Sequence, residues 1–214
     1  VPSAAQMDAV DLKLILVGNP GVGKTALVCR YLYNSYGDTT STIGASFAMK
    51  RIEAADGAVT NVGIWDTAGQ ERFDSLSSFY CRGARCALIV FDSTDRNSFA
   101  SCESKWIRKV QAEAEPACHI CLVATKVDLV SREQGADGAQ LQAVSDEEIN
   151  ALAEKYGADV FYTSAKDGSG IAEIFHRAVE HYTRRREALP EKGQTIGIAS
   201  SGSRLGAGKL GCCS

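Results

Sequence analysis

The stretch Gly18-Asn19-Pro20-Gly21-Val22-Gly23-Lys24-Thr25 matches the phosphate-loop pattern G-x-x-x-x-G-K-[ST]. An apolar segment precedes it and a helical pattern begins at Lys24, which is the strand–loop–helix context that this motif requires. Glycines let main-chain N–H groups turn inward around phosphates, and the helix N-terminus adds partial positive charge. Lys24 can reach the β- and γ-phosphates, and the Thr25 hydroxyl can bind Mg²⁺. The loop therefore predicts binding of a nucleoside polyphosphate, but it does not separate ATP from GTP.

Strand-like and helix-like segments alternate along the rest of the chain. The predicted strands are Asp11–Val17, Ser46–Ala54, Ala58–Trp65, Cys86–Phe91, Cys118–Ala124 and Val160–Thr163. The predicted helices are Lys24–Asn34, Asn97–Ala114, Asp146–Tyr156 and Ile171–Arg186. A turn at Asp56-Gly57 suits a hairpin between the second and third strands. This pattern predicts a single α/β domain with a mostly parallel six-stranded sheet, one antiparallel edge strand and helices on both faces.

Length and composition are those of one domain with flexible ends. The 214 residues are 45% hydrophobic, which is enough for one substantial core. We place the domain at residues 11–186, a flexible N-terminus at 1–10 and a Gly- and Ser-rich flexible tail at 187–214. The polar segment Val130–Val144 indicates a surface insertion. No apolar run reaches the ~18 residues needed to span a bilayer, and the N-terminus lacks the features of a signal peptide.

The net charge argues against nucleic-acid binding, and the cysteine pattern argues against disulfides and a zinc site. The net charge of -3 lacks the basic excess that a nucleic-acid-binding surface needs. Most of the eight cysteines fall in apolar segments or at the extreme C-terminus, and reduced thiols are expected without a secretory signal. Cys118 and Cys121 form a C-x-x-C, but in a strand residues three apart point to opposite faces. We therefore do not expect a zinc site there.

A second polar loop, Asp66-Thr67-Ala68-Gly69-Gln70, follows the predicted strand that ends at Trp65. An acidic residue at a strand end can hold Mg²⁺, usually through water. Gly69 lets its N–H approach a γ-phosphate, and Gln70 can orient an attacking water.

Two more loops indicate which base is bound. Asp128, in Thr125-Lys126-Val127-Asp128, can accept two hydrogen bonds from N1–H and the exocyclic amine of guanine. Adenine has no such donor pair, so it would leave a buried carboxylate unpaired. Ser164-Ala165-Lys166 can give a main-chain N–H to the guanine oxygen. These loops favour GTP over ATP, and they argue against the alternative of a P-loop ATPase or nucleotide kinase.

At these positions the chain resembles the Rab family of Ras-like small GTPases, over about residues 11–186 and at the extreme C-terminus. The likeness is carried by Trp65-Asp66-Thr67-Ala68-Gly69-Gln70-Glu71-Arg72-Phe73, Thr42-Ile43-Gly44-Ala45-Ser46-Phe47 and Tyr80-Cys81-Arg82-Gly83-Ala84. It implies a GTP hydrolase that is slow without an activating protein, with Gln70 and Lys24 as catalytic residues. The implied Mg²⁺ ligands are Thr25, Thr42 and Asp66. The implied contacts to GTP or GDP are Gly18, Gly21, Val22, Gly23, Lys24, Thr25, Ala26, Tyr36, Thr42, Gly69, Thr125, Lys126, Asp128, Ser164, Ala165 and Lys166.

The resemblance also implies a partner face and a membrane anchor. Phe47, Trp65 and Tyr80 resemble the aromatic triad on which Rab effectors dock, although ordinary sheet packing is an alternative for Phe47 and Trp65. Cys212 and Cys213 resemble a doubly geranylgeranylated ending, and two lipids would give stable anchoring. The implied partners are effectors, an exchange factor, a GTPase-activating protein, a prenylation escort and a GDP-dissociation inhibitor. The implied location is the cytoplasmic face of an intracellular membrane, endosomal or autophagic, with a cytosolic pool.

Three features depart from the family pattern. Thr125 stands where Asn is usual, and its single hydroxyl predicts faster nucleotide release. Pro20 fixes φ and removes an N–H beside the γ-phosphate, so we expect altered hydrolysis without a predicted sign. The insertion at 130–144 either binds a partner or is simply tolerated. We predict a GTP/GDP switch that recruits effectors in vesicle trafficking, and the alternative is a GTP-binding scaffold with little intrinsic hydrolysis.

Overall fold

Six strands of the chain pair into one sheet with helices on both faces. The structure is a computed structural model that describes residues 9–37, 42–54, 57–69, 79–131, 140–141 and 143–188. Its strands are β1 (Leu12–Val17), β2 (Ala45–Glu53), β3 (Val59–Thr67), β4 (Cys86–Asp92), β5 (His119–Thr125), β6 (Val130–Ser131), β7 (Gln140–Leu141) and β8 (Asp159–Tyr162). Its helices are α1 (Lys24–Tyr33), α2 (Arg96–Ser101), α3 (Arg108–Glu113), α4 (Asp146–Tyr156) and α5 (Ile171–Ala188).

The strand order of the large sheet is β2-β3-β1-β4-β5-β8. Only β2 and β3 pair antiparallel within it, and every other neighbouring pair is parallel. The predicted fold class is therefore confirmed, including the antiparallel edge strand. The order reverses beside β1, which has β3 on one side and β4 on the other. Ligands of such sheets bind outside the carboxyl ends of the strands near this reversal.

Successive side chains of the central strands point to opposite faces of the sheet, where they pack into two separate hydrophobic cores. On one face, Leu14 and Leu16 of β1 pack with α1 and α5, where the rings of Tyr31 and Phe175 stack 3.7 Å apart. On the other face, Ile15 and Val17 pack with the α2–α3 region and α4. The predicted apolar stripe of α5 faces the first core: Ile171, Ile174, Phe175, Ala178 and Val179 are buried there, and Tyr182 is partly buried.

Several local predictions are confirmed by specific contacts. The Ser145 hydroxyl accepts from the Glu148 N–H, and the Glu148 carboxylate accepts from the Ser145 N–H, which is a complete capping box. Cys118 and Cys121 pack into opposite cores, as the strand geometry predicts.

The absence of a zinc site stays a prediction. In the part of the chain that the structure describes, no group of three or more His, Cys, Asp or Glu side chains could hold a metal ion. Over the same residues, no helix is both long and apolar enough to cross a membrane.

Other predictions need correction. β3 and β5 run further than expected, so Asp66 and Thr125 lie inside strands rather than in the loops after them. The segment 130–144 is not wholly superficial, because Val144 is buried in the core and the Ala143 N–H donates to Ser93 O at 3.0 Å. The single helix predicted over Asn97–Ala114 contains a π-helical turn, Cys102–Ile107, between α2 and α3. No sequence pattern indicated that turn.

Candidate functional site

The loop between β1 and α1 surrounds the side chain of Lys24, the first residue of α1. The Lys24 ammonium donates to Gly18 O at 2.9 Å and to Asn19 O at 2.8 Å, and the residue is only 6% exposed. Burial lowers the pKa of Lys24 to about 8, while the negative charge of Asp66 works in the opposite direction. A Cβ on Gly18 would lie 2.2 Å from Val90 O, so only glycine allows this close approach to β4. The loop therefore presents a buried cation at the head of a helix.

Three oxygen-bearing side chains from distant parts of the sequence meet beside this loop. The Thr25 hydroxyl donates to Asp66 Oδ2 at 2.6 Å and lies 2.8 Å from the Thr42 hydroxyl, which is 3.5 Å from the same carboxylate oxygen. Burial raises the pKa of Asp66 despite its hydrogen bond from Thr25 and the nearby charge of Lys24.

The donor set fits a magnesium ion. Asp66 Oδ1 is the one buried side-chain oxygen or nitrogen without a hydrogen-bond partner among the described residues. Such an orphaned carboxylate oxygen is costly unless it binds something further. Mg²⁺ prefers one or two carboxylates together with other oxygens, and Thr25, Thr42 and Asp66 supply that chemistry.

The segment after β3 packs directly on the phosphate loop. A Cβ on Gly69 would lie 2.5 Å from Asn19 C and 2.5 Å from Pro20 N, so this glycine permits main chain to meet main chain. The Ala68 N–H donates to Gly44 O at 2.8 Å, which joins this segment to the one that carries Thr42. Gln70, the predicted water-orienting residue, lies outside the described residues.

A cavity of about 410 Å³ opens beside the loop at the carboxyl ends of β5 and β8. Asp128 reaches it with a largely buried carboxylate, which accepts from the Ser164 hydroxyl at 2.7 Å and lies 3.9 Å from the Lys166 ammonium. Tyr36, 55% exposed, stands at its rim. The lining residues are Gly21, Gly23, Ala26, Leu27, Tyr36, Gly37, Thr125, Lys126, Asp128, Leu129, Thr163, Ala165 and Lys166. The two loops predicted to read the base thus meet in one pocket.

Arg30 supports this pocket, although the sequence analysis did not single it out. Its guanidinium extends from α1 and donates to Ala165 O and Lys166 O, both at 2.7 Å. These bonds fix the loop after β8 relative to the helix that follows the phosphate loop. Nothing in the local sequence indicates this role of Arg30, because Ala165 and Lys166 lie more than 130 positions away.

Thr125 joins β5 to the phosphate loop with a single hydroxyl. Its Oγ1 lies 2.6 Å from Val22 O and 2.9 Å from Phe91 O, and the residue is buried. One hydroxyl proton can serve only one of these two carbonyls at a time. The next residue, Lys126, has a left-handed conformation with φ 59°, and its ammonium pairs with Asp92 at 2.6 Å. Sequence reasoning did not find Asp92 as that partner.

The three aromatic residues of the predicted effector face differ in exposure. Phe47 and Trp65 are opposite each other in the β2–β3 pairing, with ring centroids 4.7 Å apart. Trp65 is 5% exposed, and Phe47 and Tyr80 are partly buried against the same core. Phe79, at 61% exposed, was not predicted and offers more free apolar surface than any of the three. The predicted lipidation residues Cys212 and Cys213 lie outside the described residues.

The chain is similar in sequence to the Ras family and to several Ras-related proteins. A sequence model of the Ras family matches residues 13–184. The chain is 34% identical over 206 residues to "Ras-related protein Rab-24" of Dictyostelium discoideum, covering 95% of this chain and 98% of that protein. It is 36% identical over 217 residues to "Ras-related protein RGP2" of Oryza sativa subsp. japonica, covering 94% of each.

A third relative is "Putative ras-related protein Rab-5B" of Dictyostelium discoideum, which is 38% identical over 175 residues, or 79% of this chain and 76% of that protein. The family match covers the phosphate loop, the oxygen cluster and the base pocket together. The chain therefore belongs to the Rab family of Ras-like small GTPases, which are GTP hydrolases.

Proposed function

We propose that this chain is a membrane-anchored, Rab-type GTP/GDP switch that recruits effectors in vesicle trafficking. The observation that carries the proposal is the meeting of Thr25, Thr42 and Asp66 next to Lys24. Thr42 lies shortly before β2, and its hydroxyl is only 2.8 Å from that of Thr25. A γ-phosphate with its Mg²⁺ would bind Thr42 together with Thr25 and Asp66, and loss of that phosphate on hydrolysis would release Thr42.

The nucleotide is held by this chain's own groups at both ends. Lys24 and the main chain of residues 18–25 face the phosphates, and Asp128 with residues 164–166 faces guanine. Mg²⁺, held by Thr25, Thr42 and Asp66, would neutralise phosphate charge when it is bound. The buried Lys24 cation adds a second positive charge at the β- and γ-phosphates.

Hydrolysis transfers the γ-phosphoryl group of GTP to water and yields GDP and inorganic phosphate. Gln70 orients that water, and the Gly69 N–H binds the γ-phosphate. Arg30 does not serve as an arginine finger at the γ-phosphate, because its guanidinium is bound to Ala165 O and Lys166 O. We propose that a GTPase-activating protein supplies one, so the isolated chain turns over slowly.

The tail attaches the switch to its membrane. α5 leads into residues 189–214, which end in Cys212-Cys213-Ser214. Two geranylgeranyl groups on these thiols, added with an escort protein, would bind a bilayer stably, while a GDP-dissociation inhibitor maintains a cytosolic pool. The proposed location is the cytoplasmic face of an endosomal or autophagic membrane, supported by the Thr42-Ile43-Gly44-Ala45 segment.

A second candidate function is a GTP-binding scaffold that scarcely hydrolyses. Pro20 motivates it, because this residue lies where the γ-phosphate and the attacking water meet and has no N–H to donate. The peptide that joins Asn19 to Pro20 also lies close to Gly69, so a shift of this peptide would directly displace Gly69, which precedes Gln70.

Single-turnover hydrolysis separates the switch from the scaffold. Preloaded GTP should be converted to GDP with a rate constant on the order of 10⁻⁴ s⁻¹ without an activating protein, and Gln70→Leu should abolish this activity. Phosphate release measured by a fluorescent sensor gives both rates. A wild-type protein that leaves its preloaded GTP unhydrolysed, as Gln70→Leu should, would instead favour the scaffold.

Thr125→Asn should slow nucleotide release by about five-fold. An Asn amide has two N–H donors and can serve Val22 O and Phe91 O together, adding one hydrogen bond worth about 1 kcal/mol. Release of a fluorescent GDP analogue measures the effect. Thr125→Val, which removes the hydroxyl without changing shape, is the control and should speed release. An Asn variant that releases GDP as fast as the wild type contradicts this account of Thr125.

Replacement of Cys212 and Cys213 by Ser should move the tagged protein from membranes to the cytosol. Each single replacement should give an intermediate distribution, because one lipid gives only marginal membrane binding. Cell fractionation and fluorescence microscopy measure the distribution. Cys118→Ser, which changes a thiol within the folded domain, is the control. Unchanged membrane association of the double variant would rule out lipid anchoring at these residues.

A further inference from the structure

The side chain of Asn19, inside the phosphate loop, is held at both ends by the α2–α3 region. The Trp106 indole N–H donates to Asn19 Oδ1 at 2.9 Å, and Asn19 Nδ2 donates to the Ser101 hydroxyl at 3.0 Å. Since an indole can only donate, it fixes which way the amide points. The Ser101 hydroxyl in turn donates its own proton to Asn97 O at 2.9 Å. The indole N–H, one amide N–H of Asn19 and the Ser101 hydroxyl therefore each have an acceptor.

The π-helical turn explains how Ser101 and Trp106 reach the same side chain. These residues are five positions apart, which in an α-helix would place them about 140° apart around the axis. A π-helical turn is wound wider, with bonds from i to i+5, and brings such residues toward one side. The turn begins immediately after Ser101 and includes Trp106. Trp106 is 1% exposed, so its indole N–H is shielded from solvent. π-Helical turns are frequent at functional sites.

Asn19 is also in contact with the reacting part of the site. Its main-chain carbonyl accepts from the Lys24 ammonium at 2.8 Å. Its carbonyl carbon lies 2.5 Å from where a Cβ of Gly69 would stand. A shift of the Asn19 peptide would therefore move Lys24 and press on the segment that carries Gln70.

We propose that Trp106 and Ser101 are positioning residues for the phosphate loop, which they hold through Asn19 in the geometry that binds the nucleotide phosphates. Their effect reaches the phosphates through the Asn19 peptide and Lys24. The π-helical turn is the structural device that aims both residues at Asn19. This inference rests on the proposed binding of a guanine nucleotide at the loop.

Deletion of either hydrogen bond should speed release of a fluorescent GDP analogue about three- to ten-fold, since one part-buried hydrogen bond is lost. Trp106→Phe removes the N–H and keeps an aromatic ring, and Ser101→Ala removes the hydroxyl. Ser104→Ala is the matched control, because Ser104 also bonds a carbonyl of its own helix but is exposed. It should change the release rate less than two-fold. Circular dichroism establishes that each variant is folded.

Double variants separate positioning from simple packing. In an Asn19→Ala background, Trp106→Phe and Ser101→Ala should have no further effect on release, because the group through which they act is gone. In an Asn19→Asp background, Trp106→Phe should retain its effect, since Asp still accepts from the indole. Should Trp106→Phe multiply the effect of Asn19→Ala, the indole acts through packing and the proposal is overturned.

Failure of the proposed function can be distinguished from failure of this inference alone. A wild-type protein that binds no guanine nucleotide overturns the proposed function and this inference with it. A wild-type protein that binds GDP tightly, with Trp106→Phe and Ser101→Ala both releasing it at the wild-type rate, overturns the inference alone.

Discussion

The Lys24 ammonium is buried at the start of α1 and is hydrogen-bonded to two main-chain carbonyls of its own loop. Burying a cation costs free energy unless an anion compensates for it, which is why the pKa of Lys24 falls to about 8. The charge of Asp66 is near but is itself engaged with Thr25. A polyphosphate is the partner that this arrangement requires, because it brings negative charge to the helix N-terminus as well as to Lys24.

The rest of the site follows from the geometry of the sheet around this cation. β1 delivers the loop, β3 delivers Asp66, and β5 delivers Thr125 to the back of the loop. Because these strands are parallel, their carboxyl ends meet at one edge. Two long-range contacts then connect parts of the site: Arg30 binds the loop after β8, and Trp106 binds Asn19 of the phosphate loop.

Local sequence patterns predicted the fold and several residues that the structure brings together at the candidate site. The capping box of Ser145 and the apolar stripe of α5 depend on residues three or four apart, so they are visible in the sequence. Lys24, Thr25 and Asp66 are visible because they stand at fixed places in motifs. Arg30 and the pairing of Asn19 with Trp106 were missed, since each joins residues more than 80 positions apart. The π-helical turn was missed because the contacts that it makes, those of Ser101 and Trp106 with Asn19, are tertiary.

We propose that Asp128 recognises guanine in the cavity beside the phosphate loop, and nucleotide competition after a single substitution is the test of this role. Xanthine carries a carbonyl where guanine carries the exocyclic amine, so Asp128→Asn should reverse the preference of the site. We predict that the wild type binds GDP at least about 100-fold more tightly than xanthosine diphosphate or ADP, and that Asp128→Asn binds xanthosine diphosphate in preference to GDP. A wild type that binds ADP as tightly as GDP, or an Asp128→Asn variant with unchanged base preference, would contradict the account.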